Sequence, residues 1–184
     1  QPLDTYQAQN RGGTGKRAAS LKDEDFVSKL FVANTHDTLL CFSSYGKVYW
    51  IKVYRLPRGG RNAKGRPIVN LLPLEKDERI QAVLPVKEFN DDQFIFMATE
   101  TGSVKKTKLS AYSRPMKSGI KAIKLRDGDR VVNAEITDGT KEIMLFSNSG
   151  KSIRFKESDA RPIGRVSQGV RGMRIDKDQK IISL

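Results

Sequence analysis

Apolar residues recur at every second position in short runs, and the runs return at a nearly constant interval. Aligned on Gly15, Gly65, Gly119 and Gly169, which are 50, 54 and 50 residues apart, the fourth residue on is Ala19, Val69, Ile123 or Met173, and the sixth is Leu21, Leu71, Leu125 or Ile175. A period of two predicts a strand with one buried face after each glycine. A second landmark stands in residues 41–48, 97–104 and 146–153, each a β-rich run, a Gly-containing turn and a second run, which predicts hairpins. The turn glycines Gly46, Gly102 and Gly150 are 56 and 48 residues apart, and most of the surplus falls around the polar stretch 87–92. Length variation confined to loops is what repeats require. About four short strands per ~50 residues predict propeller blades or related β-solenoid units, in an all-β chain.

The organisation expected is one domain over residues 1–184. Residues 1–20 end one unit, 21–74, 75–125 and 126–175 are successive units, and 176–184 begin another. Both ends read as cuts through structure, so the chain is expected to be a fragment whose outer faces expose apolar surface. Phe26, Val27, Leu30 and Phe31 also fit a short amphipathic turn.

Charge changes this picture by naming a class of ligand. Lys and Arg number 34 against 21 Asp and Glu, a net +13 with a pI near 9.9, which points to a polyanion. A membrane is the weaker choice, because stretches such as residues 94–98 fall far short of the ~20 residues a span needs. The single cysteine, Cys41, precludes an intrachain disulfide and agrees with a reducing cytosol. The charge is periodic as well. Acidic turns at 22–25, 75–78, 127–129 and 176–178 follow the apolar strands, and a six-residue strand of ~20 Å would put them opposite the basic loops. A basic band along one rim is the expectation.

Residues 9–15, Gln-Asn-Arg-Gly-Gly-Thr-Gly, are the most concentrated of these loops. Gly12, Gly13 and Gly15 let the backbone approach a ligand closely, and Arg11, Lys16 and Arg17 supply fixed positive charge, a combination suited to an anion. Taken singly, such a loop is more often a flexible linker. The later loops carry Arg58, Arg61, Lys64 and Arg66, then Arg114, Lys117 and Lys121, then Arg161, Arg165 and Arg171. A repeat protein sets equivalent positions along one path, and cations evenly spaced on a curved edge suit a phosphate backbone without reading base sequence. No catalytic or metal-binding constellation is assembled, since His36 and Cys41 are the only residues of their types. His36 reads as a turn residue. Tyr6, Tyr54 and Tyr112 each precede a loop glycine and read as structural, holding the strand exit against the core.

Residues 9–15 resemble the box Q-R-R-G-G-K-G that marks the C-terminal domain of the bacterial DNA gyrase A subunit, from which Asn10 and Thr14 depart. The resemblance extends through residues 31–37, 65–74 and 155–158. It implies a β-pinwheel, a propeller-like disc of six four-stranded blades that exchange strands, of which this chain holds a partial set. It further implies that double-stranded DNA wraps the basic rim so that ATP-driven strand passage introduces negative supercoils. The family's catalytic tyrosine lies in an upstream domain, and ATP and Mg²⁺ serve the parent enzyme elsewhere, so no cofactor is expected here. The implied partners are DNA, the gyrase B subunit and the rest of the gyrase A subunit, in a bacterial, cytoplasmic heterotetramer with no membrane. The similar domain of topoisomerase IV generally lacks an intact box. A basic β-propeller docking an acidic protein is the rival from another class; an RNA-binding module would need stacking aromatics that the basic loops lack.

Overall fold

Three hairpins, each turning through one of the predicted glycines, are the framework of the computed structural model, which describes residues 1–21 and 26–184. They are β1 (Thr38–Ser43) with β2 (Lys47–Lys52), β4 (Phe94–Thr99) with β5 (Ser103–Lys108), and β8 (Glu142–Ser147) with β9 (Ser152–Lys156). The remaining strands are β3 (Ile80–Val86), β6 (Ile120–Lys121), β7 (Val131–Thr137), β10 (Val170–Arg171) and β11 (Ile181–Ser183), joined by 3-10 turns and loops. They form antiparallel sheets in the orders β3-β1-β2-β6, β7-β4-β5-β10 and β11-β8-β9. Each complete sheet is therefore a hairpin flanked by two strands from the next unit, one from its start and a short one from its end. No α-helix occurs among the described residues, and none of their helices is long and apolar enough to cross a membrane.

Side-chain alternation explains how the sheets stack. On β4, Ile95 and Met97 face the first sheet, joining Leu40, Phe42, Leu84 and Tyr112 in one core cluster. Phe96 and Ala98 face the third sheet with Leu145, Met173 and Ile181. A strand covered on both faces loses the polar alternation of a half-exposed one. β8 keeps it, burying Ile143 and Leu145 while Met144 and Phe146 stay exposed. Full burial of such side chains is worth about 1.5–3 kcal/mol each, and a third cluster, Leu39, Cys41, Tyr49, Ile51 and Leu72, lies on the other face of the first sheet.

Several expectations need correction. The periodic apolar positions after the loop glycines do not form long strands: pairing lasts two residues in β6 and β10. After Gly65 there is a 3-10 turn, Ile68–Asn70, with Val69 60% and Leu71 39% exposed. The reason lies in the exchange. β6 pairs with the hairpin one period earlier, β2, and β10 likewise with β5, whereas residues 1–37 offer residues 66–71 no hairpin among those described. Residues 26–31 form no helix, and Phe26 and Leu30 are exposed. Of the three tyrosines only Tyr112 is buried, edge-on to Phe42 with ring centroids 5.6 Å apart; Tyr6 and Tyr54 are exposed. His36 does lie in a turn, closed by a bond from the Asp37 amide to the Asn34 carbonyl (3.0 Å).

The acidic turn expected at residues 22–25 lies outside the described residues. The others pack on the hairpin turns rather than standing free. Glu78 is buried and accepts from the Tyr49 hydroxyl and the Glu75 amide. Asp129, also buried, accepts from the amide and hydroxyl of Thr101. Asp176 forms an ion pair with Lys151. Tyr49 reaches an acidic turn and a basic loop at once, its hydroxyl on Glu78 and its ring where a Gly119 side chain would stand, so the two are not held a full strand length apart.

Candidate nucleic-acid interface

The four basic loops share one local structure. Each contains a four-residue turn closed by a backbone bond: Gly13 amide to Asn10 carbonyl (2.9 Å), Ala63 to Gly60 (3.1 Å), Gly119 to Met116 (3.0 Å) and Ser167 to Gly164 (3.2 Å). The second residue of every turn is a cation, respectively Arg11, Arg61, Lys117 and Arg165. At that corner Arg11 and Lys117 are exposed, whereas Arg61 and Arg165 are half-buried. In three loops the turn begins five residues before the loop glycine; in the third, which carries Pro115, it begins three residues before.

The first loop holds Gln9, Arg11, Lys16 and Arg17 exposed, with the Lys16 ammonium 2.6 Å from the Gln7 side-chain oxygen. Gly12 and Gly15 have φ of +84° and +67°, a conformation L side chains rarely adopt, whereas a Cβ on Gly13 would meet the exposed end of Gln9, which can swing aside, and stand 3.1 Å from the Asn10 carbonyl oxygen. This loop lies against the second. The Arg61 guanidinium donates to the Thr5 carbonyl, and Gln1 bridges the carbonyls of Ala18 and Gly60. A small cleft of about 80 Å³ between them is lined by Gln9, Lys16, Arg17 and Arg61.

Arg58, Lys64, Arg66, Arg114, Lys117, Lys121, Arg161 and Arg171 are likewise exposed. Arg61 and Arg165 differ in being half-buried. The Arg165 guanidinium donates to the Lys121 carbonyl of the preceding loop, whereas Arg61 reaches the turn just ahead of the first loop. Sequence reading missed two exposed cations at equivalent places, Lys124 and Arg174, each five residues after a loop glycine and between buried or half-buried neighbours. The signal was the same two-residue alternation, read for its apolar members alone.

Beneath the fourth loop lies Lys105, none of whose surface is exposed. Its ammonium donates to the carbonyls of Ala122 (2.6 Å) and Arg165. Burial, and then the nearby Arg165 charge, lower its pKa from 10.5 to about 7. Lys106, on the opposite face of β5, donates to the Glu157 carbonyl (3.0 Å) and lies over the Phe94 ring. Burial pushes the Cys41 thiol up to about 12, which removes it as a nucleophile at neutral pH. Among the described residues, no group of three or more His, Cys, Asp or Glu side chains is placed to hold a metal ion.

Comparison with known proteins places this arrangement. The family model described as DNA gyrase C-terminal domain, beta-propeller, matches residues 1–34, 37–87, 93–138 and 141–184. The DNA gyrase A subunit of Salmonella typhimurium is 56% identical over the whole chain, which covers 21% of that protein. That of Aeromonas salmonicida is 61% identical over 163 residues, 89% of this chain and 18% of the relative. The chain thus spans about a fifth of the length of the curated relatives it matches. A solved C-terminal domain of DNA topoisomerase IV superposes with a TM-score of 0.82 at 31% identity, over 91% of this chain and 52% of that one. A solved DNA gyrase A C-terminal domain does so with a TM-score of 0.72 at 28% identity, over 98% and 58%. Exchanged strands, repeated basic turns and a match along nearly the whole sequence converge on one conclusion: this chain belongs to the DNA gyrase C-terminal domain family.

Proposed function

We propose that the chain binds double-stranded DNA through its basic loops, with little sequence preference, and bends it along the rim on which they succeed one another. The observation that carries this reading is the cation at the second position of a turn in all four loops, Arg11, Arg61, Lys117 and Arg165. Phosphate contacts spaced by a repeat fix the path of a duplex and carry no base code. Smooth bending of 20–30 bp through 40–90° costs about 1–6 kcal/mol, which distributed Lys and Arg contacts offset through counterion release. In the full-length gyrase A protein, working with the B subunit, such a wrap would deliver a neighbouring DNA segment to the strand-passage gate and favour negative supercoiling. DNA cleavage, ATP and Mg²⁺ belong in this reading to other parts of the enzyme, in the bacterial cytoplasm.

The test is titration of the chain with duplexes of unrelated sequence over a range of salt. Affinities that agree between sequences and fall steeply with salt support the reading. Salt-insensitive binding, or none at low salt, overturns it and favours an acidic protein as the partner.

A further inference from the structure

Lys105 is an ammonium enclosed by protein with no salt-bridge partner among the described residues. A buried charge is tolerated only where polar groups replace its water. Here they are two backbone carbonyls from different repeat units: that of Ala122, just after the third loop glycine, and that of Arg165, in the turn of the fourth loop. Two more bonds join the same segments, the Arg165 guanidinium to the Lys121 carbonyl and the Lys124 amide to the Ser167 carbonyl (3.1 Å). Around them stand three exposed cations of the rim, Lys121, Lys124 and Arg171. The same repeat position, three residues after the hairpin glycine, is Tyr49 in the first sheet and Ile153 in the third. Tyr49 donates to Glu78 rather than to a loop carbonyl, and Ile153 is 37% exposed. Among the described residues, a buried lysine at this repeat position is thus peculiar to the second sheet, where it adds to the backbone bond between the two segments.

We propose that Lys105 is a positioning residue that sets the spacing of the third and fourth basic loops by holding a backbone carbonyl of each, and so fixes the curvature those loops impose on DNA. It touches no phosphate itself. The inference rests on the DNA-binding reading above, and its test separates the two.

The experiment compares the 184-residue chain with Lys105→Met in three measurements: hydrogen exchange at the Lys124 amide, affinity for duplex DNA across salt, and the bend of a ~30 bp duplex at saturating protein, read by energy transfer between its ends. The expected result is exchange at Lys124 faster by about tenfold or more, a smaller bend, and an unchanged salt slope, because no phosphate contact is lost. A merely structural lysine would lower stability while leaving the bend at saturation as it was, and that outcome overturns the proposal. Unaltered protection at Lys124 overturns it too. If Lys105→Met does not fold, Arg165→Met and Arg161→Met replace it, each removing one cation while only the first removes a bond between the two segments. A larger loss of bending in Arg165→Met supports the proposal, and equal losses overturn it. Failure of the unsubstituted chain to bind or bend DNA overturns the DNA reading itself, whereas equal bending by the unsubstituted chain and Lys105→Met removes only the role of Lys105.

Discussion

Lys105 also makes a prediction about stability, because its folded-state pKa of about 7 lies below the unfolded value near 10.5. Between those values the unfolded chain binds more protons, so stability rises with pH across that window, by at most about 1.4 kcal/mol per pH unit from this group. Below pH 7 both states are protonated and the burial penalty is present in full. Denaturant titrations at pH 6.5 and 9 are therefore expected to show the chain gaining stability relative to Lys105→Met as pH rises; a constant difference would count against a depressed pKa. Nothing in the sequence announces this residue. Residues 103–108, Ser-Val-Lys-Lys-Thr-Lys, read as a half-exposed strand with Val104 inward and Lys105 in solvent, and only the arrival of β10 and the fourth loop from sixty residues away encloses it.

At the scale of the element, the exchange of short strands between periods is the organising feature, and the hairpin glycines show its energetics. Gly46, Gly102 and Gly150 share a position and a positive φ, yet a Cβ on Gly102 would stand 2.4 Å from the Met173 carbonyl oxygen, on Gly46 2.9 Å from the Ile123 side chain, and on Gly150 in open space. Substitution by alanine is expected to cost about 1–2 kcal/mol at Gly150, for the left-handed backbone alone, and more at Gly46 and Gly102, where an incoming strand must also shift. Urea midpoints ordered Gly102→Ala below Gly46→Ala below Gly150→Ala would confirm it; three equal losses would mean the exchanged strands carry little of the stability. The hairpins and their turns were legible in residues 41–48, 97–104 and 146–153 because each signal is local. The lengths of the exchanged strands were not. Val69 and Leu71 have the same spacing as Ile123 and Leu125, and what separates exposed from covered is whether a hairpin from the preceding period lies beside them.

For the whole molecule, binding strength and path are separate properties, and the loops divide between them. Arg58, Lys64, Arg66, Lys117, Lys121 and Arg171 are exposed and each offers one contact among many, so alanine at any of them should weaken DNA binding modestly and reduce the magnitude of the salt slope by about one. Arg165 also holds the Lys121 carbonyl of the preceding loop, and Arg61 the Thr5 carbonyl just ahead of the first loop, so their loss should cost additional bending. With no metal-binding cluster among the described residues and the Cys41 thiol buried, the chain alone is expected to neither nick nor relax plasmid DNA, even with ATP and Mg²⁺; reproducible nicking after stringent purification would contradict this. The first loop should show the division most sharply. Its shape depends on left-handed Gly12 and Gly15, and the segments on either side of it are tied to the second loop, Thr5 by Arg61 and Ala18 through Gln1. Replacing residues 9–15 by alanine therefore destroys the loop's shape while leaving the flanking bonds at Thr5 and Ala18 in place, and removes only one cation, Arg11, of the many along the rim. The expected outcome is a small loss of affinity by the isolated chain. In a full-length gyrase A protein carrying the same replacement, negative supercoiling should fail while relaxation and cleavage persist, because passage of a strand needs only a bound duplex whereas its direction needs a fixed path. Near-normal supercoiling, or equal loss of every activity, would show that this loop does not set the path.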